Sequence, residues 1–297
     1  MAADVRRLEG PPGMAALYGR AALGAVPGAG LLPFVGGAGS KLPDVELALG
    51  GVRADLDRLA AYCRVCAFTL RDSMPATYLH VLAFPLQMRL MADGDFPFPL
   101  LGLVHLDNSI TQHRAIAAGE PLDLSVRTTD LRPHPKGRAF SLLAEGRIDG
   151  ELVWEERGTI LRRGGGDPEA SWGDGIESVP SDAPPATEWK LGGDLGRRYG
   201  SVSGDRNPIH MHQLGARAFG FPRAIAHGMW SKARCLAQLE GRVPDAFTIT
   251  ARFLKPVLLP ARVRFIPVDR DGGRIAFALR DAREDVEHLE GELRPAG

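Results

Sequence analysis

The sequence predicts an α+β chain of two similar units, each a helix wrapped by a curved antiparallel sheet, joined by a polar linker. Three observations carry this. Strand-like runs of alternating character gather in two places, each after a helical stretch. The run Arg162-Arg163-Gly164-Gly165-Gly166-Asp167-Pro168, continued by a polar, Pro-rich stretch to Pro185, separates them and cannot bury a core. Of 297 residues, 44% are apolar and 24% charged, as in soluble globular proteins, and the length accommodates two domains. The boundaries are an N-terminal arm over 1–50, a first unit over 51–163, a linker over 164–186 and a second unit over 187–297.

The arm is apolar and rich in Ala and Gly over 14–38, behind Arg6 and Arg7, and loosely imitates a signal peptide. Arg20 interrupts it, and Pro27, Pro33 and several glycines break any helix. A membrane span needs about 20 unbroken apolar residues, so the arm is expected to pack on the body without stable membrane insertion. Gly36-Gly37-Ala38-Gly39 lacks the strand and helix that a nucleotide loop requires.

In the first unit a helix is expected over Asp57–Cys66. The stretches Pro75–Met91 and Gly102–Asp107 follow, then strands over Leu122–Thr128, Ala139–Ile148 and Leu152–Arg162. In the second, Asn207-Pro208 starts a helix, with Asn at the cap and Pro at the first helical position, running to about Phe219. Ala224–Trp230 leads into a stretch to Leu239 that is apolar almost all round and therefore buried. Strands follow over Phe247–Leu254, Ala261–Val268, Arg274–Arg280 and Val286–Leu293, with Asp271-Gly272-Gly273 as a hairpin turn. In this alignment of the halves His105-Leu106 falls where His227-Gly228 falls.

Composition narrows the function. Lys plus Arg and Asp plus Glu number 36 each, so the basic field of a nucleic-acid binder is missing. Three cysteines are too few and too poorly spaced for a disulfide framework, which points to a reducing, cytoplasmic setting. Cys63-Arg64-Val65-Cys66 has no thioredoxin-like context and reads as structural. His210-Met211-His212 offers no third ligand, so no metal is expected.

The chemistry concentrates in Tyr199-Gly200-Ser201-Val202-Ser203-Gly204-Asp205-Arg206-Asn207-Pro208-Ile209-His210. Gly204 permits a tight turn, Asp205 precedes the helix cap, and His210 lies in the first helical turn. Folding Asp205 back beside His210 lets a carboxylate orient an imidazole of ordinary pKa about 6.5. Such a pair flanking a water is a general acid–base arrangement. The same residues also make a plain capping motif, and spacing alone leaves both readings open.

The run Ser203-Gly204-Asp205-Arg206-Asn207-Pro208-Ile209-His210 resembles the signature of the MaoC-like, (R)-specific enoyl-thioester hydratases. Phe219-Gly220-Phe221-Pro222, Ile225-Ala226-His227-Gly228-Met229 and Arg252-Phe253-Leu254-Lys255-Pro256-Val257 extend the likeness over roughly 195–260. The length and the degenerate first half resemble the family's double hot-dog members, especially 3-hydroxyacyl-thioester dehydratases. The resemblance implies two tandem hot-dog units forming a pseudo-dimer, and in lipid metabolism the hydration of trans-2-enoyl thioesters or dehydration of (R)-3-hydroxyacyl thioesters. Asp205 and His210 match the catalytic pair, and Gly228 the glycine whose amide polarises the thioester carbonyl. Asn207, Ser203 and His227 are assigned support or substrate contact. No cofactor is implied; coenzyme A or acyl carrier protein arrives with the substrate, with unspecified arginines on its phosphates. The chain is expected to have no nucleic-acid partner and to be able to form a homodimer of pseudo-dimers. Ser73–His80 lacks the Asp/His pattern and Leu106 stands opposite Gly228 in this alignment, so one active site per chain is expected. A hot-dog thioesterase and a non-catalytic acyl-thioester binding subunit are the competing readings.

Overall fold

The computed structural model describes residues 4–24, 41–100, 102–172 and 175–296. The glycine run at 36–39 and Pro27 and Pro33 lie outside the described residues. In chain order the first elements are β1 (Asp4–Arg7), α1 (Met14–Gly24), β2 (Val45–Val52), α2 (Leu56–Cys66), α3 (Ala76–Met91) and β3 (Leu103–Gln112). Three long strands follow, β4 (Leu122–His134), β5 (Gly137–Ile148) and β6 (Glu151–Arg163). Then come β7 (Thr187–Leu191), α4 (Leu195–Ser203), α5 (Pro208–Met211), α6 (Gln213–Ala218) and α7 (Gly228–Gln238). The chain ends with β8 (Phe247–Phe253), β9 (Ala261–Asp269), β10 (Ile275–Asp281) and β11 (Glu287–Pro295).

These elements form two compact units whose segments interleave along the chain. One takes 1–53, 79–106 and 119–173; the other takes 54–78, 107–118 and 174–297. The second unit therefore includes α2 and the end of β3 as well as everything after the linker.

In the first unit the strand order is β1-β2-β4-β5-β6. β1 runs parallel to β2, which ties the described start of the arm to the sheet, and the other pairs are antiparallel. Asp149 and Gly150, with φ of 50° and 83°, close the β5–β6 hairpin between Ile148 and Glu151, the two-residue turn that matches strand twist. α3 is buried along most of its length, with Leu79, Val81 and Leu86 fully enclosed. It carries polar groups two turns apart on one face: His80 Nδ1 lies 2.7 Å from Glu156 Oε1 of β6, and Gln87 Nε2 donates to Glu156 Oε2 at 3.0 Å. A buried carboxylate is tolerated only with such partners.

In the second unit the end of β3 begins an antiparallel series continuing β8-β11-β10-β9-β7. Phe265, Phe277, Leu279, Leu293 and Ile249 are fully enclosed. α7 is as buried as its apolar character predicts, and its polar members find partners. Trp230 Nε1 donates to Val65 O at 3.0 Å, and the enclosed Lys232 donates through Nζ to Asn108 O at 3.0 Å. The linker is held rather than loose. Val179 is buried against Ile266, Ala276 and Ala278, and the Arg280 guanidinium donates to the carbonyls of Val179, Pro180 and Ser181.

Two further sequence expectations change. The helix from Pro208 to Phe219 is two short helices broken at His212, whose φ and ψ are −153° and 149°. His212 leaves the helix because its own Nδ1 accepts from Leu214 N at 3.2 Å and caps the second piece. His105 and Leu106 lie on β3, not at a helix start. Helix-then-strand order matches α3–β3 with α7–β8, so the counterpart of Gly228 is the beginning of α3. Among the described residues no helix is long and apolar enough to cross a membrane.

Candidate active site

The site is built on α4, a short helix whose inner face has two glycines one turn apart. A Cβ on Gly196 would lie 2.0 Å from His210 O, and one on Gly200 would lie 2.8 Å from Asp205 O and 3.0 Å from Met211 Sδ. Any larger residue would push the following loop away. α4 stops at Gly204, which takes a left-handed φ of 83° and donates its N–H to Gly200 O at 3.1 Å. The chain then turns back over α4 through three local bonds. Asp205 N donates to Ser203 Oγ at 3.1 Å, Asn207 N to Asp205 Oδ1 at 3.1 Å, and Ile209 N to Asn207 Oδ1 at 3.4 Å. Asn207 is the cap and Pro208 the first residue of α5. Ser203 and Asn207 thus shape the loop, while Asp205, whose side chain is 29% exposed, and the half-buried His210 remain reachable.

The two imidazoles are organised by backbone carbonyls. His210 Nδ1 lies 2.8 Å from Ile225 O; a carbonyl only accepts, so Nδ1 bears the proton and Nε2 the lone pair. His227 Nε2 lies 3.0 Å from Asp205 O and 3.8 Å from Asp205 Oδ2, so its proton sits on Nε2 and its buried Nδ1 has no hydrogen-bond partner. The rings stack with centroids 3.7 Å apart and planes 25° apart, and the Tyr199 ring packs against His227 at a tilt, with centroids 4.8 Å apart. Burial, then the neighbouring His210, pushes His227 down to about 3. Burial also lowers His210, although Asp205 and the Ile225 carbonyl oppose it. Both rings are neutral near pH 7, the form in which His210 Nε2 can take a proton.

Ligating atoms of Asp205, His210 and His227 all lie within 4.8 Å of one another, a span one water can bridge with two hydrogen bonds. The same three side chains are the set among the described residues that has metal-ligand character. A metal there would occupy the His210 lone pair that proton transfer requires, so the two uses exclude each other.

His227 is also the cap of α7, and Gly228 is its first residue. The Gly228 N–H therefore has no intrahelical acceptor and points out at the positive end of the helix dipole. The ring of half-buried Phe253 covers Gly228, 3.0 Å from where a Cβ would stand. This places a backbone donor beside the imidazole pair under an apolar wall, the surroundings that stabilise charge on a carbonyl oxygen.

The sequence pointed to Asp205, His210, His227, Gly228, Asn207 and Ser203, and all six lie in this stretch of the second unit. It did not point to Gly196 and Gly200, whose signal was a glycine pair spaced four apart on a predictable helix. Nor did it point to His212 as a cap or to Ile225 O as the acceptor that fixes the His210 tautomer. The CxxC pair is buried on α2; burial raises Cys63 to about 11 and Cys66 further still, which suppresses thiolate chemistry.

Antiparallel strands with a buried helix, and a carboxylate and a neutral imidazole gathered beside that helix's start, are the architecture of a hot-dog protein. Residues 183–291 match the MaoC like domain family. The 3-hydroxyacyl-thioester dehydratase X of Mycobacterium tuberculosis is 35% identical over 270 residues, covering 90% of this chain and 94% of that protein. Enoyl-CoA hydratase ChsH3 of the same organism is 32% identical over 173 residues, 54% of this chain and 60% of that one. The crystal structure of HtdX from M. tuberculosis superposes with a TM-score of 0.75 at 33% identity, over 84% of this chain and 100% of that one. A further M. tuberculosis protein described as a double hotdog fold, 14% identical, shares the fold with a TM-score of 0.52 over 82% of this chain and 92% of that one. The chain belongs to the MaoC-like dehydratase family and has its double hot-dog fold.

Proposed function

We propose that the chain is a hydro-lyase that hydrates trans-2-enoyl thioesters and dehydrates (R)-3-hydroxyacyl thioesters reversibly. The observation that carries this is the approach of Asp205 and His210 to within one water's span, next to the Gly228 amide at the start of α7. Its relatives' names, a dehydratase and an enoyl-CoA hydratase, describe the two directions of one reaction.

In the hydration direction a water sits between the Asp205 carboxylate and His210 Nε2. His210 takes a proton as the water oxygen bonds to C3. The C2–C3 π electrons move toward the carbonyl, and the thioester oxygen gathers charge that the Gly228 N–H stabilises. The Asp205–His210 pair then returns a proton to C2, which completes addition of H and OH and leaves the pair as it began. Ile225 O holds the His210 tautomer throughout, as second partners of catalytic histidines do. Ser203, Asn207 and His227 hold the loop, and no metal or redox group takes part.

Crotonyl-CoA tests the reading, because hydration removes the conjugated enoyl absorbance. Loss of that absorbance without thiol release is expected. Release of free thiol would instead mean C–S cleavage, and no change across chain lengths would leave only binding; either result removes the hydro-lyase reading.

A further inference from the structure

The elements that carry the chemistry are gripped by a helix from the other side of the linker. α2 packs within the second unit. Arg58, Tyr62 and Val65 stand on it at i, i+4 and i+7, which is one helix face. Each of the three meets a different part of the site's frame.

In the first turn of α2, Arg58 Nε donates to Val202 O at 2.7 Å. Val202 lies in the last turn of α4, where carbonyls lack an intrahelical donor and a cation is favoured. One residue on, Ser203 Oγ accepts from Asp205 N and begins the turn that brings Asp205 and His210 back over α4. In the last turn of α2, Val65 O is an orphan carbonyl of the same kind, and it accepts from Trp230 Nε1 at 3.0 Å. Trp230 belongs to the first turn of α7, two residues after Gly228. Between these ends the fully buried Tyr62 is fixed by donating its O–H to Thr77 Oγ1 at 2.9 Å. Its ring lies against Tyr199 with centroids 6.1 Å apart, and Tyr199 lies in turn against His227.

α2 thus joins the loop of the carboxylate–imidazole pair to the helix start that offers the Gly228 amide. Arg58 and Val65 are about 10 Å apart along the axis of a helix, which is stiff in that direction. The hydration proposed above needs such a spacer. Conjugation keeps C1, C2, C3 and the carbonyl oxygen of an enoyl thioester in one plane. The substrate therefore cannot stretch between a misplaced water and a misplaced amide, and an error of about 1 Å costs on the order of 10²-fold.

We propose that α2 is a strut that sets the separation between the Asp205–His210 pair and the Gly228 amide, with Arg58 and Trp230 as positioning residues at its two ends. Both act through α4 and α7 rather than on substrate. The consequence for turnover rests on the hydro-lyase reading; the strut itself does not.

The test is steady-state hydration of crotonyl-CoA by the full chain, with rates expressed per folded molecule from a urea melt. Arg58→Ala and Trp230→Phe, which keeps a ring but loses the N–H, should each lower kcat about tenfold or more and leave KM within about twofold. Arg58→Lys, whose ammonium can still donate to Val202 O, should recover most of the loss. The double variant Arg58→Ala/Trp230→Phe should be scarcely slower than the slower single one, because a strut free at one end holds nothing. Wild-type kcat per folded molecule in Arg58→Ala, a loss carried by KM alone, a lysine variant no faster than the alanine one, or losses that multiply would each overturn the strut. Should the unmodified protein hydrate no enoyl thioester, the hydro-lyase reading falls and the strut is read without turnover. The Gly228 amide resonance, at the far end of α2 from Arg58, should then shift in Arg58→Ala, and an unshifted resonance overturns the proposal.

Discussion

Gly196→Ala tests how tightly the reaction depends on α4. The added Cβ would stand 2.0 Å from His210 O and 2.9 Å from its carbonyl carbon, where contacts under 3.0 Å do not persist. The obstacle is backbone, so α5 has to withdraw by about 1 Å. Alanine raises helix propensity by up to about 1 kcal/mol over glycine, while overpacking costs about 1–3 kcal/mol. The clash wins by a margin small enough that the protein still folds. For activity, a displacement of about 1 Å costs on the order of 10²-fold, because His210 Nε2 no longer shares its water with Asp205. The assay is kcat for crotonyl-CoA hydration beside a urea melt. Gly193→Ala is the control, since its Cβ would meet only Pro260 Cδ at 4.0 Å. Wild-type kcat and unchanged stability in Gly196→Ala would refute the reasoning.

Three further outcomes are expected. His212→Ala removes the side-chain cap from Leu214 N and should lower stability by about 1 kcal/mol, read as a shift in urea midpoint. His227 is held at about 3 when folded and titrates near 6.5 when unfolded, so between those values the unfolded chain binds a proton that the folded one refuses. Stability is complete above about pH 6.5 and falls as pH drops, by about 1.4 kcal/mol per unit. His227→Gln, which keeps a donor for Asp205 O, should lose about 2 kcal/mol less than wild type between pH 7 and pH 5, and equal losses would contradict the neutral buried imidazole. Native Cys63 and Cys66, buried on α2 with raised pKa values, should resist iodoacetamide until the protein is denatured, which mass spectrometry reports.

Much of this was legible because local signals and tertiary demands agree. The large–small alternation in Ile275–Leu279 matches a strand, which is buried on both faces because Val179 packs with Ala276 and Ala278, and Asn207-Pro208 starts α5 because cap and fixed φ favour it before any packing is considered. In the candidate site Asp205, Asn207 and His210 stood out because they are local in sequence, but spacing alone left a plain cap open, and the resemblance to a known signature pointed to the pair and to Gly228. Contacts distant in sequence were not legible. Helical pattern continues through His212, and only the choice of its Nδ1 to cap Leu214 N ends the first turn. His105-Leu106 looked like His227-Gly228 because dipeptide likeness carries no element order. The linker looked incapable of burial by composition, yet Val179 is enclosed because Arg280, about a hundred residues on, collects the carbonyls around it. Nor does composition reveal that 54–78 and 107–118 pack with the second unit, since hydrophobic pattern names a buried face without naming its partner.

The central claim is that Asp205 and His210 share one water and one proton inventory. Single-turnover hydration of crotonyl-CoA by Asp205→Asn and His210→Ala, on protein whose urea midpoint shows a retained fold, tests it most directly. Each variant should be slower by at least ~10²-fold, the scale of a lost general acid–base group, and the double variant scarcely slower than either. Near-wild-type rates in either single variant, or losses that multiply in the double one, would contradict it.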